Sequence, residues 1–346
     1  MSDPVSLAVV GAGAIGRAHV AAISREPGAR LAAVVDPAES ARAYADELGV
    51  PWHAGLAALL AGPRPDGVVI ATPNELHVEQ GLACVAAGVA ALVEKPIAVD
   101  VASARRLVEA AEAAGVPLLV GHHRRHNPLV AAAHAALSER RIGTVVAVQA
   151  TCWLYKPAEY FAVDWRRRPG SGPVILNQIH DIDLMRHLVG EIVAVHALDS
   201  AAVRGHEVED TAAVVMRFAT GALGTMTVSD TVVGPWSWEL TAGENPAYPA
   251  TGASCYLIGG THGSLELPGL RLWRNREARS WWEPLEVETL GVVPEDPLVR
   301  QIRQFAKVIR GEEPPLVPGR QGLRTLAVIE AMRRSAARGE PAVPEL

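Results

Sequence analysis

"AVVGAGAIGRAHV", residues 8–20, carries Gly11, Gly13 and Gly16 in G-x-G-x-x-G spacing between an apolar run and an alanine-rich stretch. A β-strand that turns sharply into a helix uses all three glycines. The first allows a tight turn, the second lets a pyrophosphate approach the backbone, and the third lets the helix pack close to the strand. Ala12 then lies in the turn, while Ala14 and Ile15 open the helix, whose free N–H groups and dipole favour a phosphate. Asp36 falls 20 residues after Gly16, at the end of the next apolar run, "LAAVVD" (31–36). A carboxylate there binds a ribose 2′-hydroxyl and repels a 2′-phosphate. It is also placed to cap the helical stretch "PAESAR". The expected cofactor is NAD, in preference to NADP.

Outward from this motif, strand-like runs "GVVIAT" (67–72), "AALVEK" (90–95) and "PLLVGH" (117–122) alternate with helical patterns such as "PAESARAYADELG" and "VASARRLVEAAEAAG", each closed by glycine. Continuous apolar strands between helices build a parallel sheet covered on both faces. Residues 1–125 are therefore expected to form a Rossmann dinucleotide-binding domain. "ATPNELH" (71–77) follows its third long strand at the carboxyl end, where ligands collect in such sheets. Thr72, Pro73, Asn74 and His77 are placed at the cofactor on that basis. The competing reading is a Pro–Asn turn with capping residues.

After "RRHNP" the texture changes. A helix is predicted over 129–141, then alternating runs at 144–155, 192–203, 211–218, 222–232, 253–258 and 263–274. One helical pattern interrupts them at 174–189, and two more follow near 296–310 and 320–338. The fold class is thus α/β followed by α+β. Residues 126–346 are expected to form an open, mainly antiparallel sheet domain for substrate binding and oligomerisation, with a C-terminal helix able to pack back on the first domain. An open sheet face suits a homodimer or homotetramer.

Composition narrows the function. With 346 residues the chain exceeds the size at which one core keeps growing. A net charge of −6 excludes nucleic acid as the main partner, because phosphate binding needs a concentrated basic surface. The run "GLACVAAGVAALV" (81–93) is too short to span a bilayer, so no membrane is expected. Three scattered cysteines, Cys84, Cys152 and Cys255, form neither a disulfide framework nor a thiolate zinc site, and no charged-then-apolar leader pattern opens the chain. A cytoplasmic protein is expected. No metal is expected either: the arginines of "HHRRH" (122–126) oppose a cation, and no compact His/carboxylate set has a metal-ligand spacing.

Among 32 basic residues only Lys95, Lys156 and Lys307 are lysines. "VEKP" keeps one at a strand end. Oxidising a secondary alcohol requires a hydride to leave carbon and a proton to leave oxygen, so a base and a cation belong near the nicotinamide. Lysine can lose a proton when desolvated, whereas arginine cannot. Lys95 is therefore read as a chemical residue, and Lys156 and Lys307 as surface charges. In "LNQIHDIDLMRHL" (176–188), Asn177, His180 and Asp183 recur three apart, roughly on one helix face. Ile175, Ile179, Ile182 and Met185 take the buried side.

In this order, "GAGAIG", "TPNELH", "EKP", "GHHRRHNP" and "GSGPVILNQIHDID" resemble the Gfo/Idh/MocA family of oxidoreductases over essentially the whole chain. The resemblance implies an NAD(P)-dependent dehydrogenase acting on a secondary alcohol of a sugar, cyclitol or related polyol. It implies that Lys95 lies beside nicotinamide and substrate, with Glu94 and Pro96 at the cofactor and the Lys–Pro peptide often cis. His180 is implied as general acid/base and Asp183 as a contact to substrate hydroxyls. Trp165 and Arg166 of "VDWRRRPGSGP" are implied near the nicotinamide, and His123 and Arg124 at the same cleft. One position departs: many polyol-oxidising relatives carry aspartate four residues before this histidine, and here it is Leu176. Asn177 offers an orienting amide that accepts no proton, which shifts proton handling toward Lys95. Trp236, Trp238 and Tyr248 are placed either to stack on a ring or, as aromatic stripes in a sheet more often do, to form core or interface. A cyclic cis-dihydrodiol of an aromatic acid is accordingly an alternative substrate, its carboxylate meeting Arg124 or Arg166. A non-catalytic NAD-binding regulator is the third reading, and Lys95 and His180 speak against it.

Overall fold

Val5–Val10 (β1) is buried at every position, as a strand covered on both faces must be. In the computed structural model, which describes residues 3–346, it passes through the glycine turn into α1 (Ala14–Arg25). Five further strands, β2 (Ala29–Val35), β3 (Trp52–His53), β4 (Gly67–Ile70), β5 (Ala90–Val93) and β6 (Leu118–Val120), complete a sheet of order β3-β2-β1-β4-β5-β6. Every pair is parallel. Between them run α2 (Glu39–Leu48), α3 (Leu56–Ala61), α4 (His77–Ala86) and α5 (Val101–Ala114). The order reverses between β1 and β4, so a crevice opens at their carboxyl ends. The two-residue β3 is too short to show a period in the sequence. The chain divides into two units, and the helix Pro297–Ile309 belongs to this first one, with Ile302 and Phe305 packed among Val5, Val9, Ile23 and Leu92.

The second unit comprises Asn127–Pro294 with Ala327–Glu345. Its first helix, α6 (Pro128–Ser138), is capped by Asn127, whose side chain accepts the Leu129 N–H at 2.9 Å. The unit continues with β7 (Val145–Trp153), α7 (Ile179–Val189), β8 (Ile192–Ser200), β9 (Thr211–Phe218), β10 (Leu223–Ser229) and a short α8 (Trp238–Thr241). The last strands are β11 (Tyr256–Gly260), β12 (Ser264–Leu267), β13 (Arg271–Asn275) and β14 (Leu285–Thr289). They form one sheet of order β14-β13-β12-β11-β7-β10-β9-β8, antiparallel throughout except for the β7–β10 pair. The run predicted at 263–274 breaks into β12 and β13 around Pro268 and Gly269. β14 lies outside the predicted runs although Leu285-Glu286-Val287-Glu288-Thr289 alternates; all five residues are exposed, so the alternation marks no buried face.

The open sheet has one covered face. In β9, Ala212, Val214, Met216 and Phe218 join a core with Ile179, Ile182 and Met185 of α7. Ala213, Val215 and Arg217 point away from it. That outer face carries exposed apolar side chains among polar ones: Leu198 is 64% exposed and Val215 54%, with Leu223 and Leu257 also exposed.

Candidate active site

Gly11 adopts φ +95°, and a Cβ there would lie 2.5 Å from the Ala71 carbonyl oxygen. A Cβ on Gly16 would lie 1.8 Å from the Gly11 carbonyl oxygen. Packing within the molecule thus accounts for both. Gly13 differs, because nothing stands within 4 Å of a Cβ built there, and Gly13, Ala14 and Ile15 are exposed. The space over the α1 N-terminus is therefore open on the side where a diphosphate would meet the unpaired N–H groups of the first turn. Asp36 Oδ2 accepts the Ala12 N–H at 2.8 Å and Oδ1 accepts the Ala38 N–H at 2.9 Å. Ala38, not Asp36, is the N-cap residue of α2, so Asp36 anchors the turn. Arg42 stacks 5.6 Å over Trp52, whose indole N–H donates to the Asp36 carbonyl at 2.9 Å. Clear space, a helix N-terminus and a fixed carboxylate together fit a dinucleotide.

The Lys95–Pro96 peptide at the end of β5 is cis. His77, expected at the cofactor, is instead buried between two turns: Nδ1 lies 2.8 Å from the Pro96 carbonyl and Nε2 2.9 Å from the Thr72 carbonyl. Both ring nitrogens are occupied, so the residue clamps the β4 turn to the β5 turn. Thr72 Oγ1 donates to Gln80 at 2.7 Å, while Pro73 is exposed and Asn74 half-buried at the head of a 3-10 turn.

Glu94, also expected at the cofactor, is only 6% exposed, with Oε1 2.7 Å from His19 Nε2 and Oε2 accepting the Lys95 N–H at 3.1 Å. Burial pushes this carboxyl up. The His19 hydrogen bond and the charges of His19, His123 and Lys95 outweigh that and lower it to about 2. Glu94 is a buried anion beside Lys95, with both carboxylate oxygens engaged inside the fold. His19 was missed in the sequence; its signal is a histidine on the buried face of α1 among Gly16, Val20 and Ile23. His123 and Arg124 stand on a 3-10 turn, His123–His126, that follows β6; His123 is half-buried and Arg124 buried.

In the second unit a π-helical turn, Val174–Gln178, leads into α7. Its wider turn, with more residues per turn than an α-helix, removes Asn177 from the regular stripe, leaving His180 and Asp183 on the helix proper. α7 is buried around nearly its whole circumference, with His180 and Asp183 inside. There the Tyr256 hydroxyl donates to Asp181, and Arg186 pairs with Glu191 at 2.9 and 3.0 Å. Asn177 Oδ1 is buried without a hydrogen-bond partner among the described residues. Trp165 is exposed beside Arg166, whose guanidinium lies 4.1 Å over the Tyr160 ring and 5.5 Å from the Trp165 ring. Arg167 and Arg168 pair with Asp164 on an exposed loop.

Two expectations change here. Trp238 does not offer a stacking face: it is 1% exposed, stacked on Tyr256 at 5.7 Å, and donates its indole N–H to Glu244 at 2.9 Å. Trp236 and Tyr248 keep exposed edges. Lys156, read as a surface charge, is 7% exposed and sits 3.8 Å from Asp230, which Arg204 also meets at 2.6 Å. Burial pushes its amine below the usual lysine range, with Asp230 opposing. The scarcity of lysine that marks Lys95 marks Lys156 equally, and that signal was available in the sequence. Lys307 is half-exposed and pairs with Glu313 at 3.3 Å. Among the described residues no cluster of three or more His, Cys, Asp or Glu could hold a metal ion, and no helix is long and apolar enough to cross a membrane.

Residues 5–122 match the model of the oxidoreductase family with NAD-binding Rossmann fold, and residues 134–344 match that family's C-terminal alpha/beta domain. The chain belongs to the Gfo/Idh/MocA oxidoreductase family. This Gfo/Idh/MocA chain is 30% identical over 339 residues to a 1,5-anhydro-D-fructose reductase from Ensifer adhaerens, covering 96% of this chain and 97% of that protein. An inositol 2-dehydrogenase of Rhizobium meliloti strain 1021 is 35% identical over 190 residues, 54% of this chain and 56% of its own. The WlbA dehydrogenase from Bordetella pertussis, solved in complex with NADH and UDP-GlcNAcA, superposes with a TM-score of 0.80 at 27% identity over 99% of both chains. As a Gfo/Idh/MocA member the chain is an oxidoreductase with an NAD-binding Rossmann unit.

Proposed function

We propose that this Gfo/Idh/MocA enzyme is an NAD-dependent dehydrogenase that oxidises a secondary alcohol of a sugar, cyclitol or related polyol. The observation that carries it is Lys95 at the carboxyl end of β5, in the same parallel sheet whose β1 turn is shaped for a dinucleotide. When bound, the nicotinamide accepts the hydride. The residues of the chain do the rest. Lys95 directs its amine to the substrate oxygen and, with His180, handles the hydroxyl proton. Asp183 and Asn177 orient neighbouring hydroxyls, and Trp165, Arg166, His123 and Arg124 shape the surroundings. Leu176 supplies no carboxylate to His180. The fixed Asp36 carboxylate favours NAD over NADP. The named activities of the reductase and inositol dehydrogenase relatives support the substrate class. A reducing, cytoplasmic setting agrees with three buried free cysteines.

A screen of sugars, cyclitols and aromatic-acid dihydrodiols for NADH formation tests this. Turnover of a sugar or cyclitol with NAD, and poorly with NADP, is expected. Turnover of a dihydrodiol alone would move the enzyme to that substrate class, and NAD binding without any turnover would make it a regulator.

The open sheet face pairs with a second copy, giving a homodimer or homotetramer, because it exposes Leu198, Val215, Leu223 and Leu257 while its reverse is the core. Leu198→Glu is expected to produce a smaller species in analytical ultracentrifugation with NAD affinity unchanged. An unchanged sedimentation profile would place the interface elsewhere.

A further inference from the structure

Beside Lys95 lies a buried histidine–carboxylate pair that the mechanism above does not use. His19 comes from α1, whose N-terminus opens the dinucleotide turn, and Glu94 from the end of β5, 75 residues later. His19 Nε2 and Glu94 Oε1 stand 2.7 Å apart, and both residues are buried. The other carboxylate oxygen accepts the backbone N–H of Lys95 at 3.1 Å, which fixes the point from which the lysine side chain departs. Space for this arrangement comes from Gly121 after β6, where a Cβ would lie 2.8 Å from the carboxylate.

The charged and titratable groups that face Glu94 are His19 from α1, His123 from the turn after β6, and Lys95 on its own strand. Burial penalises the anion, yet these neighbours keep it ionised down to about 2. Attraction between charges is mutual. A carboxylate favoured by the Lys95 charge favours that charge in turn, and more so out of water.

We propose that His19 and Glu94 are positioning residues that aim Lys95 and hold it as an ammonium ion. Resting on the assignment of Lys95 to the reaction, this gives it the role of a hydrogen-bond donor to the substrate oxygen, with the hydroxyl proton passing to His180.

Having only three lysines makes the test direct. Trace acetylation of the intact, NAD-free protein across neutral to alkaline pH, read by peptide mass spectrometry, reports the free-amine fraction of Lys95 against Lys307. Glu94→Gln keeps the shape without the charge and is expected to raise Lys95 labelling near neutral pH by about tenfold, with Lys307 unchanged. Glu94→Asp, which keeps the charge, is expected to restore labelling toward wild type. His19→Gln, which keeps a donor of similar reach, is expected to fall between. Lys95 labelling that is equal in wild type and Glu94→Gln, while both still bind NAD, overturns the proposal. Should Glu94→Gln not fold, His19→Gln carries the comparison, and wild-type labelling there is the overturning result. Labelling does not read turnover. A Lys95→Arg variant with normal turnover would therefore remove Lys95 from the reaction without touching this outcome.

Discussion

Lys95→Ala is expected to lower kcat by about 10³-fold while NAD affinity stays close to wild type. The residue follows β5 in the sheet whose β1 carries the dinucleotide turn, whereas that turn is built by Gly11, Gly16 and Asp36. Lys95→Arg is expected to lose most of the same activity. Arginine keeps a positive charge, but its planar fork cannot place one compact donor where the ammonium sits. Steady-state kinetics alongside a fluorescence titration of NAD separates the two effects. Near-normal turnover in the arginine variant would remove lysine-specific chemistry. His180→Ala is expected to fall mainly in kcat, and an unchanged kcat/KM would exclude it as the acid/base.

The second large effect concerns the glycine turn. In Gly16→Ala the new Cβ would stand 1.8 Å from the Gly11 carbonyl oxygen, so α1 must shift away from β1. Overpacking of this kind costs on the order of 1–3 kcal/mol or more, a fall in Tm of roughly 2–10 °C for a domain of this size. The shift also moves the helix N-terminus and the Ala12–Asp36 hydrogen bond, and NAD affinity is expected to drop at least about tenfold. Gly13→Ala provides the contrast. With nothing within 4 Å of its Cβ, Tm is expected to stay near wild type while NAD binding weakens. Differential scanning fluorimetry and a binding titration read both variants. Unaltered NAD affinity in Gly13→Ala would mean that the dinucleotide does not approach the turn there.

These variants also mark how far local pattern reaches. Glycine spacing, apolar runs and helix-ending glycines report short-range backbone geometry, so the Rossmann half was legible almost strand by strand. The C-terminal half was legible as a mainly antiparallel sheet because one-sided burial writes an alternation into β9 and its neighbours. What failed had no one-sided burial behind it. β14 alternates in sequence but is exposed throughout, and the π-helical turn before α7 has no period that distinguishes it from the helix it leads into.

Site residues divide in the same way. The place of Lys95 was legible because a lysine before proline closes the apolar run that becomes β5. Lys156, equally rare in kind, was misread because only packing reveals that it is buried against Asp230. His77, Glu94 and Trp238 carry side chains suited to ligand contact, but the fold commits them to internal partners: two backbone carbonyls, a histidine and a tyrosine ring.

By itself, then, the sequence determined where the chain turns, which faces are apolar and which residue types are present for hydride and proton chemistry. Those properties depend on a few neighbouring positions. The tertiary structure decided which polar side chains are spent on one another. Burial and charge are properties of groups that meet only after folding, as His19 and Glu94 do across 75 residues of chain.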